Sequence, residues 1–88
     1  MREYTKFYIN GAWVEPSQSQ SLDVLDPSTE EVCARISLGN EADVDQAVAA
    51  AKAAFETFSQ SPVEERVALL ERVAEIYKRR ISDIAEAI

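Results

Sequence analysis

Apolar residues recur along one helical face between Asn40 and Phe58, and the remaining predictions are built around this segment. The positions follow the i, i+3, i+4, i+7 spacing of an amphipathic helix: Val44, Ala47, Val48, Ala51, Ala54, Phe55 and Phe58. Asn40 is a favourable N-cap residue, and Asp43 lies three residues later, close to the pattern of a capping box. The sequence therefore predicts a helix over residues 41–58 with a shallow, alanine-rich contact face.

A second apolar stripe with helical spacing follows this segment. Its members are Val63, Val67, Leu70, Val73, Ala74, Tyr77 and Ile81. Ser61 can cap such a helix, and Pro62 suits its first position. These signals predict a helix over residues 62–80, with Lys78, Arg79 and Arg80 complementing the negative end of its dipole.

A third helix is predicted from residue 82 onward, with Ser82 or Asp83 as its cap. The chain stops at Ile88 without the Gly, Asn or Pro that commonly marks a helix end. We therefore expect this helix to be truncated and the 88 residues to be the front end of a longer chain.

Short strands are predicted over residues 7–38, before the helices. Asn10-Gly11 lies between two aromatic and β-branched runs and predicts a hairpin, because a type I′ turn needs positive φ at both central residues. Leu22–Asp26 alternates briefly, and the Asp26-Pro27-Ser28-Thr29 sequence is typical of a turn. Val32–Leu38 alternates strictly and predicts a half-buried strand. The chain thus reads as short antiparallel strands followed by two to three helices.

Composition narrows the function classes. Apolar residues make up 47% and charged residues 28%, as in globular proteins. The net charge of −7 argues against a nucleic-acid partner, which needs clustered Lys and Arg. No apolar run approaches the roughly 18 residues of a membrane span, and no secretory signal precedes the first strand. We therefore expect a cytoplasmic protein.

Candidate catalytic chemistry is sparse. The chain has no histidine, which excludes a Ser-His-Asp triad and a Cys/His zinc site within it. Cys33 is the only cysteine, and Arg35, two residues later and on the same strand face, could favour a reactive thiolate, although simple packing is the favoured interpretation. Trp13 could stack on a ligand, but packing of the hairpin against the helices is favoured. With only two glycines, no phosphate-binding glycine motif is present.

The order of these segments resembles the N-terminal part of the NAD(P)-dependent aldehyde dehydrogenase superfamily. The resemblance lies in four segments, Phe7–Val14, Asp26–Val32, Ala42–Phe55 and Pro62–Leu70, and extends from about Phe7 to Ile88. Two positions depart from the family pattern, in which Asn is common at Asp26 and Gly at Glu30. Both departures alter turn chemistry and leave the reaction untouched.

The resemblance implies an α/β enzyme with a Rossmann-like cofactor domain, to which residues 1–88 would contribute the N-terminal part. Such an enzyme oxidises an aldehyde or semialdehyde to the carboxylic acid with NAD or NADP, and is usually a homodimer or homotetramer. The resemblance places no catalytic or cofactor-binding residue in this chain. It does imply a Na⁺ or K⁺ site in some members, at the backbone carbonyls that match Val24 and Leu25.

An alternative of another class stays open at the level of the sequence. The alanine-rich face from Val44 to Phe58 could bind a partner helix, which would make the chain a free-standing interaction module without enzymatic activity. The identity of the aldehyde and the choice between NAD and NADP are not encoded in these residues.

Overall fold

The computed structural model describes residues 1–88, which form two compact units, Met1–Phe55 and Glu56–Ile88. Short strands precede three helices, as the sequence predicts. The strands are β1 (Arg2–Tyr4), β2 (Phe7–Ile9), β3 (Ala12–Val14), β4 (Ser21–Leu25) and β5 (Val32–Ser37). The helices are α1 (Glu41–Phe58), α2 (Val63–Arg79) and α3 (Ile81–Ala87). No helix among the three combines the length and hydrophobicity of a membrane span.

Three strands form one sheet in the order β1-β5-β4. β4 and β5 are antiparallel, and their register shifts between Val24 and Leu25. β1 lies parallel to β5, with Glu3 opposite Arg35. β1 is not predicted from the sequence, because the polar segment at the N-terminus lacks the alternating apolar pattern of a strand.

Side chains help to hold β1 on the sheet. Arg35 lies 3.0 Å from Asp23 of β4 and 3.7 Å from Glu3 of β1, so one guanidinium connects all three strands. The Ser37 hydroxyl donates a hydrogen bond of 2.7 Å to the Thr5 carbonyl just beyond β1. These contacts are partly exposed, so their electrostatic contribution is modest.

The β2–β3 hairpin has the predicted two-residue turn. Asn10 and Gly11 both have positive φ, at 54° and 75°, as a type I′ turn requires. Tyr8 pairs with Trp13 across the hairpin, and their ring centroids are 5.1 Å apart. Trp13 is nevertheless 67% exposed, so its ring is not buried, and packing of the hairpin against the helices stays a prediction.

The turn between β4 and β5 is organised by Asp26. Its carboxylate accepts hydrogen bonds from the Ser28 N–H at 2.9 Å and the Ser28 hydroxyl at 2.7 Å. These bonds, the hydroxyl first, lower the pKa of Asp26. Glu30 completes the turn with φ of 61°, a left-handed conformation that is costly for a residue other than glycine.

The second unit contains α2 and α3, and their starts differ from the prediction. Pro62 is the N-cap of α2 and makes no side-chain capping bond, while the Ser61 hydroxyl donates to the Phe58 carbonyl instead. α3 begins at Ile81 with Arg80 as its N-cap, so the capping roles assigned to Ser82 and Asp83 are wrong. Asp83 instead receives a 3.3 Å contact from the Arg80 guanidinium.

Very little of the chain is buried. Ile9 is the one buried apolar residue and Asp43 the one buried charged residue. The apolar face of α1 and the stripe of α2 are both exposed, with Phe55 at 69% and Leu70 at 67%. Faces with helical periodicity are therefore present as predicted, but within residues 1–88 they bury little against other elements.

Candidate functional site

A cluster of mutually hydrogen-bonded polar residues lies where α1 begins. The Asn40 N–H donates to the Asp43 carboxylate at 3.0 Å, and the Asp43 N–H donates to the Asn40 side-chain oxygen at 3.1 Å. This reciprocal pair is the capping box that the sequence predicts. The Ser17 N–H also donates to the Asp43 carboxylate at 2.9 Å, and the Ser17 hydroxyl donates to the Asn40 oxygen at 2.6 Å. The cluster thus joins the loop after β3 to α1.

The cluster stabilises the charged form of Asp43. The hydrogen bond from the Asn40 N–H is the largest cause, the Ser17 N–H the next, and together they lower the pKa of Asp43 although burial acts in the opposite direction. The negatively charged carboxylate lies at the N-terminus of α1, where the helix dipole is positive and favours a negative charge. The hydrogen-bonding groups of Ser17, Asn40 and Asp43 are directed at one another, so the cluster is suited to stabilising the folded chain.

The residues implicated in a cation site, Val24 and Leu25, lie at the end of β4. The shift of register between them is an irregularity in pairing with β5. The Val24 carbonyl accepts a hydrogen bond of 3.4 Å from the Cys33 thiol. The structure contains no group of three or more His, Cys, Asp or Glu residues placed to hold a metal ion. A Na⁺ or K⁺ site at these carbonyls stays a prediction.

Cys33 has none of the companions of a catalytic nucleophile. It is exposed, and its described contact is the Val24 carbonyl. Arg35, the cation expected to assist it, is instead bonded to Asp23 and Glu3. A nucleophilic thiol needs a base or a cation directed at the sulfur. The geometry therefore favours a structural role for this cysteine.

An open groove separates the hairpin from the small residues of α1. Tyr8, Ile9, Asn10 and Gly11 line one side, and the other side is formed by the alanines Ala47, Ala50, Ala51 and Ala54. Apart from the Tyr8 phenol, the lining contains no side chain that serves as an acid, base or nucleophile. Such a surface can receive packed apolar groups.

Comparison with known proteins identifies the family to which the chain belongs. The profile of the Aldehyde dehydrogenase family matches residues 13–88. The chain belongs to the aldehyde dehydrogenase family. An aldehyde dehydrogenase of Bartonella henselae has a solved structure that covers 98% of this chain with a TM-score of 0.95 and 50% identity. The α/β character of the segment is therefore confirmed.

Proteins with similar sequences support the same family assignment. A protein of Staphylococcus aureus strain bovine RF122 / ET3-1, assigned as an aldehyde dehydrogenase, is 48% identical over all 88 residues, and that of strain USA300 is 47% identical. The chain spans only 18% of the length of each of these relatives, and 18% of the Bartonella chain. The matched part is N-terminal in the relatives.

Two features of the site have weak signals in the sequence. Ser17 lies in a Ser/Gln-rich loop, and nothing in its spacing indicates that its N–H reaches Asp43, 26 residues later. The left-handed conformation of Glu30 is likewise unexpected from its residue type, because such positions favour glycine. The departure from the family pattern at Glu30 is the one sequence signal that points to this strain.

Proposed function

We propose that these 88 residues are the N-terminal part of an NAD(P)-dependent enzyme that oxidises an aldehyde or semialdehyde to its carboxylic acid. The family membership over residues 13–88 is the observation that carries this proposal. Within that enzyme the segment is structural and carries no catalytic residue. The parent is proposed to be a cytoplasmic homodimer or homotetramer.

The proposal places the site for the nicotinamide cofactor elsewhere in the parent enzyme, and two features of this chain support it. Gly11 lies in a hairpin turn, and a Cβ added at Gly39 would meet the Phe7 ring at an ordinary 3.6 Å, so neither glycine marks a close backbone approach to a phosphate. The N-terminus of α1, where a phosphate could bind, is already occupied by the Asp43 carboxylate. Binding of NAD or NADP is therefore assigned to residues outside this chain.

The exposed apolar faces support the structural role. The α2 stripe leaves Val63, Val67, Leu70 and Val73 between 47% and 67% exposed. Contiguous apolar surface of this kind usually marks an interface, because its exposure to water is unfavourable. We propose that the remainder of the parent chain covers these faces, and that the segment completes the Rossmann-like cofactor domain.

A partner-binding module is the second candidate, and it is favoured by the same exposed surface and by the alanine-lined groove. The intact mass of the protein produced from its native gene distinguishes the two. A mass far above the 9.8 kDa of the 88 residues supports the dehydrogenase. A mass equal to 9.8 kDa, without a larger product, would favour the module.

An activity assay tests the structural role separately. The purified 88-residue chain is incubated with short aldehydes and NAD⁺ or NADP⁺, and absorbance of the reduced nicotinamide is followed. The expected result is no aldehyde-dependent signal, since the proposed role of the segment is structural and includes no catalytic or cofactor-binding residue. Aldehyde-dependent formation of NADH or NADPH by the pure chain would overturn the assignment.

A further inference from the structure

Asn10 and Gly11 form the turn of the β2–β3 hairpin. They have the features of a site at which an asparagine side chain reacts with the following backbone nitrogen. Both residues are exposed. The space around Gly11 is open: apart from Gly11 and its two chain neighbours, no heavy atom lies within 4 Å of the place where a Cβ would lie. Glycine after asparagine removes the side chain that would otherwise hinder the backbone nitrogen, and asparagine is among the thermolabile residues.

We propose that Asn10 is a deamidation site and that its isoaspartate product loosens the hairpin. The backbone nitrogen of Gly11 forms a bond to the side-chain carbonyl carbon of Asn10, and the bond from that carbon to the amide nitrogen breaks. The leaving nitrogen takes up the proton of the Gly11 N–H and departs as ammonia. Water then opens the cyclic imide at either carbonyl, which gives aspartate or isoaspartate, so water is the only co-reactant.

The two products differ in their effect on the hairpin. Aspartate leaves the backbone unchanged and tolerates positive φ. Isoaspartate routes the main chain through the former side chain, so the backbone gains one carbon atom inside a two-residue loop. That loop sets the pairing of Ile9 with Ala12, since hairpin register depends on turn type and loop length. We therefore expect the register of β2 and β3 to be lost in the isoaspartate form.

Asn40 is a matched internal control, because it is the only other asparagine in the chain. Its side-chain oxygen accepts hydrogen bonds from the Ser17 hydroxyl and the Asp43 N–H, which hold the amide in place. The residue that follows it is Glu41, whose side chain hinders the backbone nitrogen. Deamidation at Asn40 should be slower than at Asn10 for both reasons.

The experiment ages the 88-residue chain at neutral pH and physiological temperature. Peptide mapping follows deamidation at both asparagines, and an isoaspartyl methyltransferase assay quantifies isoaspartate. Fluorescence of Trp13, the single tryptophan, reports on the hairpin because its ring lies 5.1 Å from Tyr8. The control variant is Asn10→Gly, which keeps a residue suited to positive φ and removes the amide.

The expected result is deamidation several-fold faster at Asn10 than at Asn40, with a change in Trp13 fluorescence that tracks isoaspartate and is absent in Asn10→Gly. A parallel sample in denaturant gives the deamidation rate of Asn10 in the unfolded chain, so that the effect of the fold on that rate can be measured. The proposed site is overturned if Asn10 deamidates in denaturant but persists as the amide in native buffer. Loosening of the hairpin is overturned if isoaspartate accumulates without any change in Trp13 fluorescence.

Discussion

The Asp43 carboxylate accepts a hydrogen bond from the Ser17 backbone N–H at 2.9 Å, across 26 residues of sequence. Asp43 is also the capping partner of Asn40, so one side chain both starts α1 and fastens the loop after β3 to it. A carboxylate has enough acceptor sites to serve both donors. Together with the bond from the Ser17 hydroxyl to Asn40, this contact links the loop after β3 to the start of the first helix.

Replacing Asp43 by Asn should lower the thermal unfolding temperature of the chain. The amide retains one acceptor oxygen where the carboxylate offers two, so either the Ser17 or the Asn40 N–H loses its partner. Circular dichroism of α1 during heating gives the comparison. Asp45→Asn, at an exposed position of the same helix, is the control and should shift the free energy of unfolding by less than about 0.5 kcal/mol. Equal effects of the two substitutions would contradict the role of Asp43.

The contribution of Asp43 should depend on pH. Its pKa is lowered in the folded chain from the ordinary value of 3.8, chiefly by the Asn40 N–H. The folded state therefore binds fewer protons than the unfolded state in the acid range, and stability falls as pH is lowered through this region. The stabilisation is fully present above the unfolded pKa of 3.8 and is lost as pH falls through the lower folded pKa.

The difference in unfolding free energy between the original chain and Asp43→Asn, measured against pH, isolates this effect from that of Asp26. The pKa of Asp26 is lowered too, first by the Ser28 hydroxyl, but this carboxylate is present in both proteins. The difference should be constant near neutrality and shrink below pH 3.8. A difference that stays constant throughout the acid range would show that the Asp43 charge is not involved.

Glu30→Gly should stabilise the chain. Glu30 has φ of 61°, and a left-handed conformation costs an L-residue roughly 1–2 kcal/mol, part of which is offset by the greater chain entropy of glycine when unfolded. We expect a net gain of about 1 kcal/mol in the free energy of unfolding. Glu31→Gly is the control, since Glu31 is absent from the positive-φ residues, and it should not stabilise. Denaturant titration of both variants gives the comparison.

Arg35→Met should loosen β1. The guanidinium connects Glu3 and Asp23 across β5, and β1 has only three residues to hold it by backbone pairing. The side chains are partly exposed, so a loss of about 0.5–1 kcal/mol is expected. Hydrogen exchange of the β1 amides should accelerate, and added salt should reproduce part of the effect in the original chain. Unchanged exchange in β1 would mean that backbone pairing alone holds the strand.

Local sequence patterns predict the helices and the hairpin turn of this chain well. They predict contacts between residues that are distant in sequence less well. The spacing of Val44 to Phe58 and the Asn40 cap give α1 the range Glu41–Phe58 that is observed, because helix limits are encoded by neighbouring residues. The Asn10-Gly11 turn is likewise local. β1 is missed because its pairing depends on β5, about thirty residues away. The Ser61 cap fails because its hydroxyl finds the Phe58 carbonyl instead.

The α2 stripe should respond to substitution differently in isolation and in a complete enzyme. Leu70 is 67% exposed, so Leu70→Asp should change the unfolding free energy of the 88-residue chain by less than about 0.5 kcal/mol. In a full-length protein the same change would bury an unpaired charge, and we expect a loss of at least about 3 kcal/mol. Glu71→Gln, the adjacent polar position, is the control in both settings. A small effect of Leu70→Asp in the full-length protein would contradict burial of the stripe.

A chimera gives the most direct test of the proposed function. Residues 1–88 replace the matched segment of the Staphylococcus aureus relative that is 48% identical over this chain. The measurement is aldehyde-dependent reduction of NAD⁺ or NADP⁺ by the purified chimera, with the unaltered relative alongside. If the segment completes the cofactor domain, the chimera folds and retains activity of the same order as the relative, while deletion of the segment abolishes it. A folded chimera without activity, or full activity after deletion, would contradict the account.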